Sequence, residues 1–229
     1  MIVGRPTTVP QVDLLVRDAV ATLRLRRPEK RNAMTAPMLT EMIRLLVKAR
    51  EADVRLLVIR GSDGCFSAGA DLGEVKMSDG SASAAYRELF IVLLEAVAGF
   101  PAPSVAVIEG PCIGGGCSVA LACDLRFARR DAVLSIPAIK HGLVYEVESL
   151  RRLVGLVGPS RALRFLYTAE RVDARGAQAM GLVDICSVDP DDDVNVLATS
   201  VCGADRGALL ANRAVVRAIT EEISGDGHE

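Results

Sequence analysis

Residues Ser104–Asp124 read SVAVIEGPCIGGGCSVALACD and decide the fold that we predict for this chain. The run Ser104–Ile108 is short, apolar and rich in β-branched residues, which is typical of a buried strand. Three glycines follow at Gly114–Gly116, and small apolar residues continue from Cys117. The stretch therefore predicts a strand, a glycine turn and a helix start within about twenty residues.

The glycine turn has the backbone chemistry of a site for negative charge. Glycines let the main chain approach a ligand closely, and the first N–H groups of a helix have no acceptor within it. Such N–H groups stabilise charge that develops on an oxygen atom. Neither a P-loop nor a dinucleotide-binding motif fits, because no Lys-Ser or Lys-Thr pair follows and the G-x-G-x-x-G spacing is absent. The turn alone leaves a simple helix–sheet packing turn open as the alternative.

The composition bounds the class of protein. The chain has 229 residues, 50% of them apolar and 3% aromatic, and a net charge of −2. This length can form one substantial core, and neither the charge nor the aromatic content favours a nucleic acid partner. Because there is no apolar run of membrane-spanning length and no secretory leader in MIVGRPTTVPQ, we expect a cytoplasmic protein without a membrane partner.

The six cysteines are expected to be reduced and to act as small core residues. Cys112, Cys117 and Cys123 lie close together in the chain, but they lack C-x-x-C spacing and a neighbouring histidine. We therefore predict no metal site.

Strands and helices alternate along the chain. Thr35 is a suitable N-cap for a helix over Pro37–Arg50, and a loop is predicted over His141–Ser149 before a short helix at Leu150–Val157. Further strands are predicted at Val12–Val16, Ala19–Leu25, Val54–Arg60, Leu125–Ala128, Ala132–Ile136 and Val183–Cys186, and a further helix at Tyr86–Ala98. This alternation predicts an α/β core with ligand loops at the strand ends.

Three stretches resemble the crotonase superfamily, the enoyl-CoA hydratase/isomerase group: RPEKRNAM at 27–34, FSAGADL at 66–72 and EGPCIGGGCSVALACDLRFA at 109–128. The likeness continues at 142–155 and 161–184 and covers about residues 12–222. It implies a crotonase-like ββα spiral core over 1–190 and a shortened C-terminal helical region over 191–229. It also implies a coenzyme A thioester as ligand, no other cofactor, a place in fatty acid metabolism, and a homotrimer or a dimer of trimers.

The same resemblance implies an oxyanion hole. Its two donors are the backbone N–H groups of Ala70 and Gly115, aimed at the thioester oxygen. Removing one such donor typically lowers a rate by about two orders of magnitude. The resemblance places acyl or CoA pocket residues at Ala68, Asp71, Leu72, Ser118 and Ala138, and CoA-phosphate contacts at Lys30 and Arg31. For the two basic residues, ordinary surface charge is an equally good interpretation.

Two positions depart from the family's hydratases, which carry glutamates where this chain has Ser118 and Ala138. Hydration needs both acids to hold a water and move its protons, and each acid–base contribution is worth about 10² to 10⁴ in rate. A serine is a poor base at neutral pH and an alanine is none. We therefore expect hydratase activity to be weak or absent.

A different acid occurs nearby in the sequence YEVE at 145–148. Glu146 occupies the position at which dienoyl-CoA isomerases of this superfamily carry a proton-shuttling aspartate, and burial would raise its pKa into a useful range. The alternative is that Glu146 and Glu148 are loop carboxylates that pair with nearby arginines or with solvent. His141 is expected to be solvated or to cap a helix.

Three functions follow from these residues. Ser118 and Ala138 favour an acyl-CoA carrier or sensor with an intact oxyanion hole. Glu146 favours an enoyl- or dienoyl-CoA isomerase that uses this residue as acid and base. The shortened C-terminal region is compatible with a noncatalytic subunit of an active homologue.

Overall fold

The computed structural model describes residues 11–73 and 80–225. The strands in these ranges are β1 (Val12–Arg17), β2 (Val20–Leu25), β3 (Leu56–Gly61), β4 (Ser104–Ile108), β5 (Pro111–Ile113), β6 (Leu125–Arg129), β7 (Val133–Ser135), β8 (Val172–Asp173) and β9 (Ile185–Ser187). The helices are α1 (Ala36–Glu51), α2 (Gly80–Ala98), α3 (Gly115–Ala122), α4 (Val147–Val157), α5 (Pro159–Thr168), α6 (Ala174–Ala179), α7 (Pro190–Gly203) and α8 (Arg206–Gly225), with short 3-10 helices at Pro28–Lys30 and Ala138–His141.

The main sheet has six strands in the order β1-β2-β3-β4-β6-β9. Strand β1 is antiparallel to β2, and every later pair in this sheet is parallel. A smaller sheet has the order β5-β7-β8. The α/β class predicted from the sequence is confirmed. Because β3 and β4 are parallel neighbours, the loops that follow them leave the same edge of the sheet.

Helix α1 shows how local sequence specifies an element. The hydroxyl oxygen of Thr35 accepts a hydrogen bond from the Met38 amide at 3.4 Å, as an N-cap does. Met38, Met42 and Leu45 are buried at a spacing of three or four residues. The predicted cap and helix are confirmed.

Near the glycine turn and the YEVE sequence, the structure differs from the prediction in one helix start and in one strand. Helix α4 begins at Val147, inside the stretch predicted as a loop, because the Leu150 amide already donates to the Glu146 carbonyl at 3.0 Å. Strand β5 was missed altogether. It is three residues long, and its register is set by β7, about twenty residues away in the chain, so local composition gave no sign of it.

The Asp124 carboxylate is one of the groups that hold helix α8 against the core, together with the Phe100 and Ala98 carbonyls. Asp124, just after α3, accepts from the Arg213 Nε at 2.9 Å and from an Arg217 nitrogen at 2.6 Å. It also accepts from the Ser104 amide and hydroxyl, at 2.8 and 3.0 Å, where β4 begins. One side chain therefore joins α8, the end of α3 and the start of β4.

Within the described ranges, no helix is both long and apolar enough to cross a bilayer.

Candidate active site

The loop after β3 and the turn after β4 are joined by backbone hydrogen bonds. The Phe66 amide donates to the Pro111 carbonyl at 3.0 Å, and the Ile113 amide donates to the Ser67 carbonyl at 2.9 Å. The bridge between Ser67 and Cys112 therefore brings the FSAGADL stretch beside the glycine turn. The two motifs that are separated in the sequence form one structural unit.

Ala70 forms a parallel bridge with Met34, and the Ala70 amide points away from that partner. The Met34 amide donates to the Gly69 carbonyl at 2.7 Å, and the Met34 carbonyl accepts from the Asp71 amide at 2.9 Å. Met34 thus bonds to the residues on either side of Ala70, and in a parallel bridge this turns the Ala70 N–H to the opposite side.

The Gly115 amide lies beside the Ala70 amide. Gly115 is the first residue of α3, so its N–H has no acceptor within the helix. A Cβ atom placed on Gly115 would lie 3.5 Å from the Ala70 nitrogen. The pair is therefore close enough for both amides to donate to one oxygen atom.

This close approach depends on glycine. Gly69 has a φ of +92°, and a Cβ there would lie 2.7 Å from the Ile113 carbonyl oxygen and 3.0 Å from the Gly115 nitrogen. A Cβ on Gly116 would lie 2.8 Å from the Ser67 carbonyl oxygen. Side chains at either position would push the loop and the turn apart.

A first cavity of about 170 Å³ opens at these two amides. Of the sequence-predicted residues, it is lined by Ala68, Ala70, Leu72, Gly115, Ala138 and Glu146. His141 also lines it and is exposed, in the last turn of a 3-10 helix. The cavity therefore gathers both proposed donors and the candidate acid.

Four predicted residues lie off the lining formed by the described residues. Ser118 is fully buried behind it. Asp71 pairs with Arg27 at 2.6 Å, and this contact holds the pKa of its carboxyl below the usual value. Lys30 and Arg31 are exposed on and beside a 3-10 helix. Asp71 thus links the loop after β3 to the RPEKRNAM stretch. It is not among the described residues that line the first cavity, where the family resemblance had placed it.

Glu146 faces the first cavity from the loop before α4. The Ser118 hydroxyl donates to Oε2 of Glu146 at 3.1 Å. Burial raises the pKa of the Glu146 carboxyl, while the Ser118 hydroxyl and the positive charge of Arg87 oppose that rise. A half-buried carboxylate with a raised pKa is suited to accept and return a proton.

Glu148 has a different environment. Its carboxylate lies 3.7 Å from Arg151, and both side chains are about half exposed. It lies in the first turn of α4 and does not line the first cavity. The structure thus separates the two glutamates of the YEVE sequence: one faces the cavity and the other pairs on the surface.

Sequence reasoning missed Tyr145 as a site residue. Its hydroxyl donates to the Gly114 carbonyl at 2.8 Å, and burial raises its pKa well above the usual value. Gly114 precedes α3 with a φ of +54°. Tyr145, which lines the first cavity next to Glu146, therefore fixes the glycine turn. An aromatic residue with a polar tip in an otherwise aliphatic loop was the available signal.

Asn32 was also missed. It is fully buried within the RPEKRNAM stretch. Its amide group donates to the Ser62 and Cys65 carbonyls at 3.0 and 2.7 Å, while its oxygen accepts from the Arg27 amide at 2.8 Å. These bonds hold the loop after β3 in place, which is a structural reason for an asparagine here.

A second cavity of about 270 Å³ lies between α2 and the start of α4. It shares Arg87 and the segment Val144–Glu146 with the first cavity. Ile91 and Leu94 line it from α2, and Val147 lines it from α4. The two cavities therefore meet at Glu146.

The cysteines near the glycine turn are core residues. The sulfur atoms of Cys112 and Cys117 lie 3.8 Å apart and are buried. Burial raises the pKa of Cys112 well above its usual value and that of Cys123 to about 12, which disfavours thiolates. Among the described residues, no three His, Cys, Asp or Glu side chains are grouped as metal ligands.

Known proteins are similar to this chain in sequence and in fold. The family model described as enoyl-CoA hydratase/isomerase matches residues 16–224. The protein named "Probable enoyl-CoA hydratase echA6" from Mycobacterium tuberculosis is 38% identical over 167 residues, which are 73% of this chain and 67% of that protein.

Solved structures agree with the sequence match. An enoyl-CoA hydratase/isomerase family protein from Hyphomonas neptunium superposes with a TM-score of 0.88 at 30% identity, over 93% of this chain and 83% of that one. An enoyl-CoA hydratase from Bacillus anthracis gives 0.87 at 25% identity, over 95% and 90%. The predicted crotonase-like fold is thus confirmed, and the chain belongs to the enoyl-CoA hydratase/isomerase family.

Proposed function

We propose that this chain binds an acyl-CoA thioester in the first cavity, with its carbonyl oxygen between the amides of Ala70 and Gly115. The observation that carries the proposal is that Ala70 and Gly115 line the same cavity side by side, since a Cβ on Gly115 would lie 3.5 Å from the Ala70 nitrogen. Two backbone N–H groups that donate to one oxygen stabilise the negative charge of an enolate. The donors belong to the backbone, so this binding function is independent of Ser118 and Ala138.

Gly115→Ala tests the two donors directly. The new methyl group would occupy the space between them, 3.2 Å from Cζ of Phe90, while alanine suits the helical backbone. We expect butanoyl-CoA affinity, measured by calorimetry, to fall at least about tenfold. Gly155→Ala is the matched control, because its methyl group on α4 would make an ordinary 3.7 Å contact with Cγ2 of Thr220, far from the two amides in the chain. Absence of binding of both butanoyl-CoA and decanoyl-CoA by the unaltered protein would overturn the proposal.

The position of Glu146 favours a second candidate function, isomerisation of an enoyl-CoA. The carboxylate takes a proton from the α-carbon, and the electron pair moves into the thioester to form a dienolate held by Ala70 and Gly115. The same carboxyl group returns the proton to the γ-carbon, so the double bond moves by one position. One acid is sufficient for this exchange, whereas hydration needs two acids to place a water.

Glu146→Gln tests this candidate function. Glutamine keeps the size of the side chain but cannot accept the proton, so conversion of a 3-enoyl-CoA to the 2-enoyl-CoA should fall about 100-fold or more. Acyl-CoA affinity should change little. Glu148→Gln is the control, because Glu148 pairs with Arg151 outside the first cavity. Equal turnover in Glu146→Gln would exclude this residue as the base. Tight binding without isomerisation by the unaltered protein would leave the carrier function.

Two further expectations belong to the same proposal. Hydration of crotonyl-CoA should be very weak, since the Ser118 hydroxyl is bonded to Glu146 and Ala138 carries no acid. The homotrimer or dimer of trimers implied by the family stays a prediction, for which light scattering of the purified chain is the measurement.

A further inference from the structure

We infer that Tyr145 is a positioning residue for one of the two donors: its hydroxyl group sets the direction and the strength of the Gly115 N–H. This role rests on the proposed thioester site, and it makes one half of that site dependent on a single side chain.

The Gly114 carbonyl and the Gly115 N–H belong to one peptide group. Because a peptide group is planar and trans, its C=O and N–H bonds point in opposite directions. A hydrogen bond that fixes the carbonyl therefore fixes the N–H as well. The Tyr145 hydroxyl donates to the Gly114 carbonyl at 2.8 Å, and the Ser118 amide donates to it at 3.2 Å from within α3. Tyr145 thus supplies the shorter of these two hydrogen bonds.

Steric contact does little to hold this peptide group. It joins two glycines, and a Cβ on Gly114 would meet no atom of the described residues within 4 Å. Gly114 has a φ of +54° and a ψ of −119°, a conformation that glycine adopts far more readily than other residues. The preceding peptide group is held by the Gly114 amide, which donates to the Ser135 carbonyl at 2.9 Å. The direction of the Gly115 N–H therefore depends on the hydrogen bonds to the Gly114 carbonyl.

The two donors are supported in the same way but by different groups. The Ala70 N–H shares its peptide group with the Gly69 carbonyl, which accepts from the Met34 amide at 2.7 Å. A hydrogen bond to a carbonyl polarises the N–H of the same peptide group, and such cooperativity strengthens a bond by about 10–30%. The support of Ala70 comes from the backbone, whereas that of Gly115 includes the hydroxyl of Tyr145.

The environment of Tyr145 suits a permanent donor. Its side chain is buried, and burial raises its pKa well above the usual value, so the hydroxyl keeps its proton at neutral pH. A buried tyrosine hydroxyl that only stabilised the fold would also need a partner. The two roles differ in their effect on ligands. Loss of a purely structural contact weakens every CoA ligand, whereas loss of a positioning contact weakens only ligands that carry the carbonyl oxygen.

Calorimetry with butanoyl-CoA and S-butyl-CoA tests the role, because S-butyl-CoA is a thioether with a methylene in place of the carbonyl. We expect the unaltered protein to bind butanoyl-CoA at least about tenfold more tightly. Tyr145→Phe keeps the ring and removes the hydroxyl. It should weaken butanoyl-CoA about fivefold and leave S-butyl-CoA within about twofold. Tyr167→Phe is the control, since Tyr167 is exposed on α5 and is not among the described residues that line either cavity.

Infrared spectroscopy of bound butanoyl-CoA, labelled with ¹³C at the carbonyl, gives a second measurement. Hydrogen bonds lower the stretching frequency of a carbonyl, so Tyr145→Phe should raise it. An unchanged frequency would overturn the inference, as would an unchanged preference for butanoyl-CoA or an equal loss of both ligands in folded Tyr145→Phe. A lack of preference for butanoyl-CoA in the unaltered protein would instead overturn the proposed amide donors, which separates failure of the proposed function from failure of this inference.

Discussion

The two sides of the first cavity present different chemical groups: backbone amides on one side and a side-chain carboxylate on the other. On one side, Ala70 and Gly115 present backbone amides, and backbone hydrogen bonds link three chain segments behind them. On the other side lies one carboxylate, Glu146, which accepts a hydrogen bond from the Ser118 hydroxyl at 3.1 Å. The first side depends on chain geometry and the second on residue identity.

This difference separates recognition from reaction. A backbone donor survives most changes of its own side chain, so the proposed thioester recognition should be less sensitive to substitution than any reaction. A reaction that needs an acid or base is gained or lost with single side chains such as Glu146, Ser118 or Ala138. The predictions below act on one side at a time, in order of decreasing expected effect.

The largest effect is expected from Gly69→Ala on the backbone side. Its methyl group would lie 2.7 Å from the Ile113 carbonyl oxygen, at a φ of +92° that alanine rarely adopts. We expect a loss of about 2–3 kcal/mol in the free energy of unfolding, measured in urea, and an acyl-CoA affinity at least about tenfold weaker. Gly203→Ala has open space around its methyl group and should be neutral or stabilising. Normal affinity in folded Gly69→Ala would remove the geometric argument for the donors.

An intermediate effect is expected from Ser118→Ala on the acid side. The hydroxyl stabilises the ionised form of Glu146, so its loss should raise the pKa of that carboxyl further. NMR titration of the glutamate carboxyl carbons would measure this with or without turnover. If isomerisation occurs, the acid limb of its pH profile should move to higher pH as well.

Ser149→Ala is the matched control for Ser118→Ala. Ser149 is fully buried, and its hydroxyl has no hydrogen-bond partner within the described part of the chain. Its removal should leave the pKa of Glu146 unchanged. A Glu146 titration that is identical in Ser118→Ala and the unaltered protein would show that the hydroxyl does not support the carboxylate.

The smallest effect is expected from Glu146→Gln, on the thermal stability of the protein. Burial raises the pKa of Glu146 above its unfolded value, so its contribution to stability is present at low pH and is lost as pH rises through the folded pKa. Glu146→Gln does not ionise, and at pH 8 its Tm should exceed that of the unaltered protein by about 1–3 °C. The gap should narrow as pH falls and close at about pH 3, below the unfolded pKa, where the carboxyl is neutral in both states. A gap that widens on acidification would contradict the sign of the shift.

The backbone side was largely predictable from sequence. The strand Ser104–Ile108, the glycines after it and the FSAGADL stretch carry local signals, and their parallel strands bring them to one edge. Thr35 likewise specifies the start of α1 through a contact three residues away. In each case the physical cause lies within a few residues, where sequence pattern is informative.

The acid side was predictable only in part. Glu146 could be named from its place in the sequence, but its contact with Ser118 joins residues 28 apart, and burial separates it from Glu148. The role of Tyr145 depends on a carbonyl 31 residues away, at Gly114. Contacts of this kind depend on tertiary packing, which the local pattern around each residue does not encode.

Helix α3 is held at both ends by side-chain hydrogen bonds. At its start the Tyr145 hydroxyl donates to the Gly114 carbonyl. About 12 Å away, after its last residue, Arg213 and Arg217 donate to the Asp124 carboxylate. Donors to a reacting oxygen must be held within roughly 0.5 Å of their working position, so we expect loss of the Asp124 contacts to displace Gly115 as well. Helix α8, which lines neither cavity among the described residues, is thereby linked through α3 to the proposed thioester site.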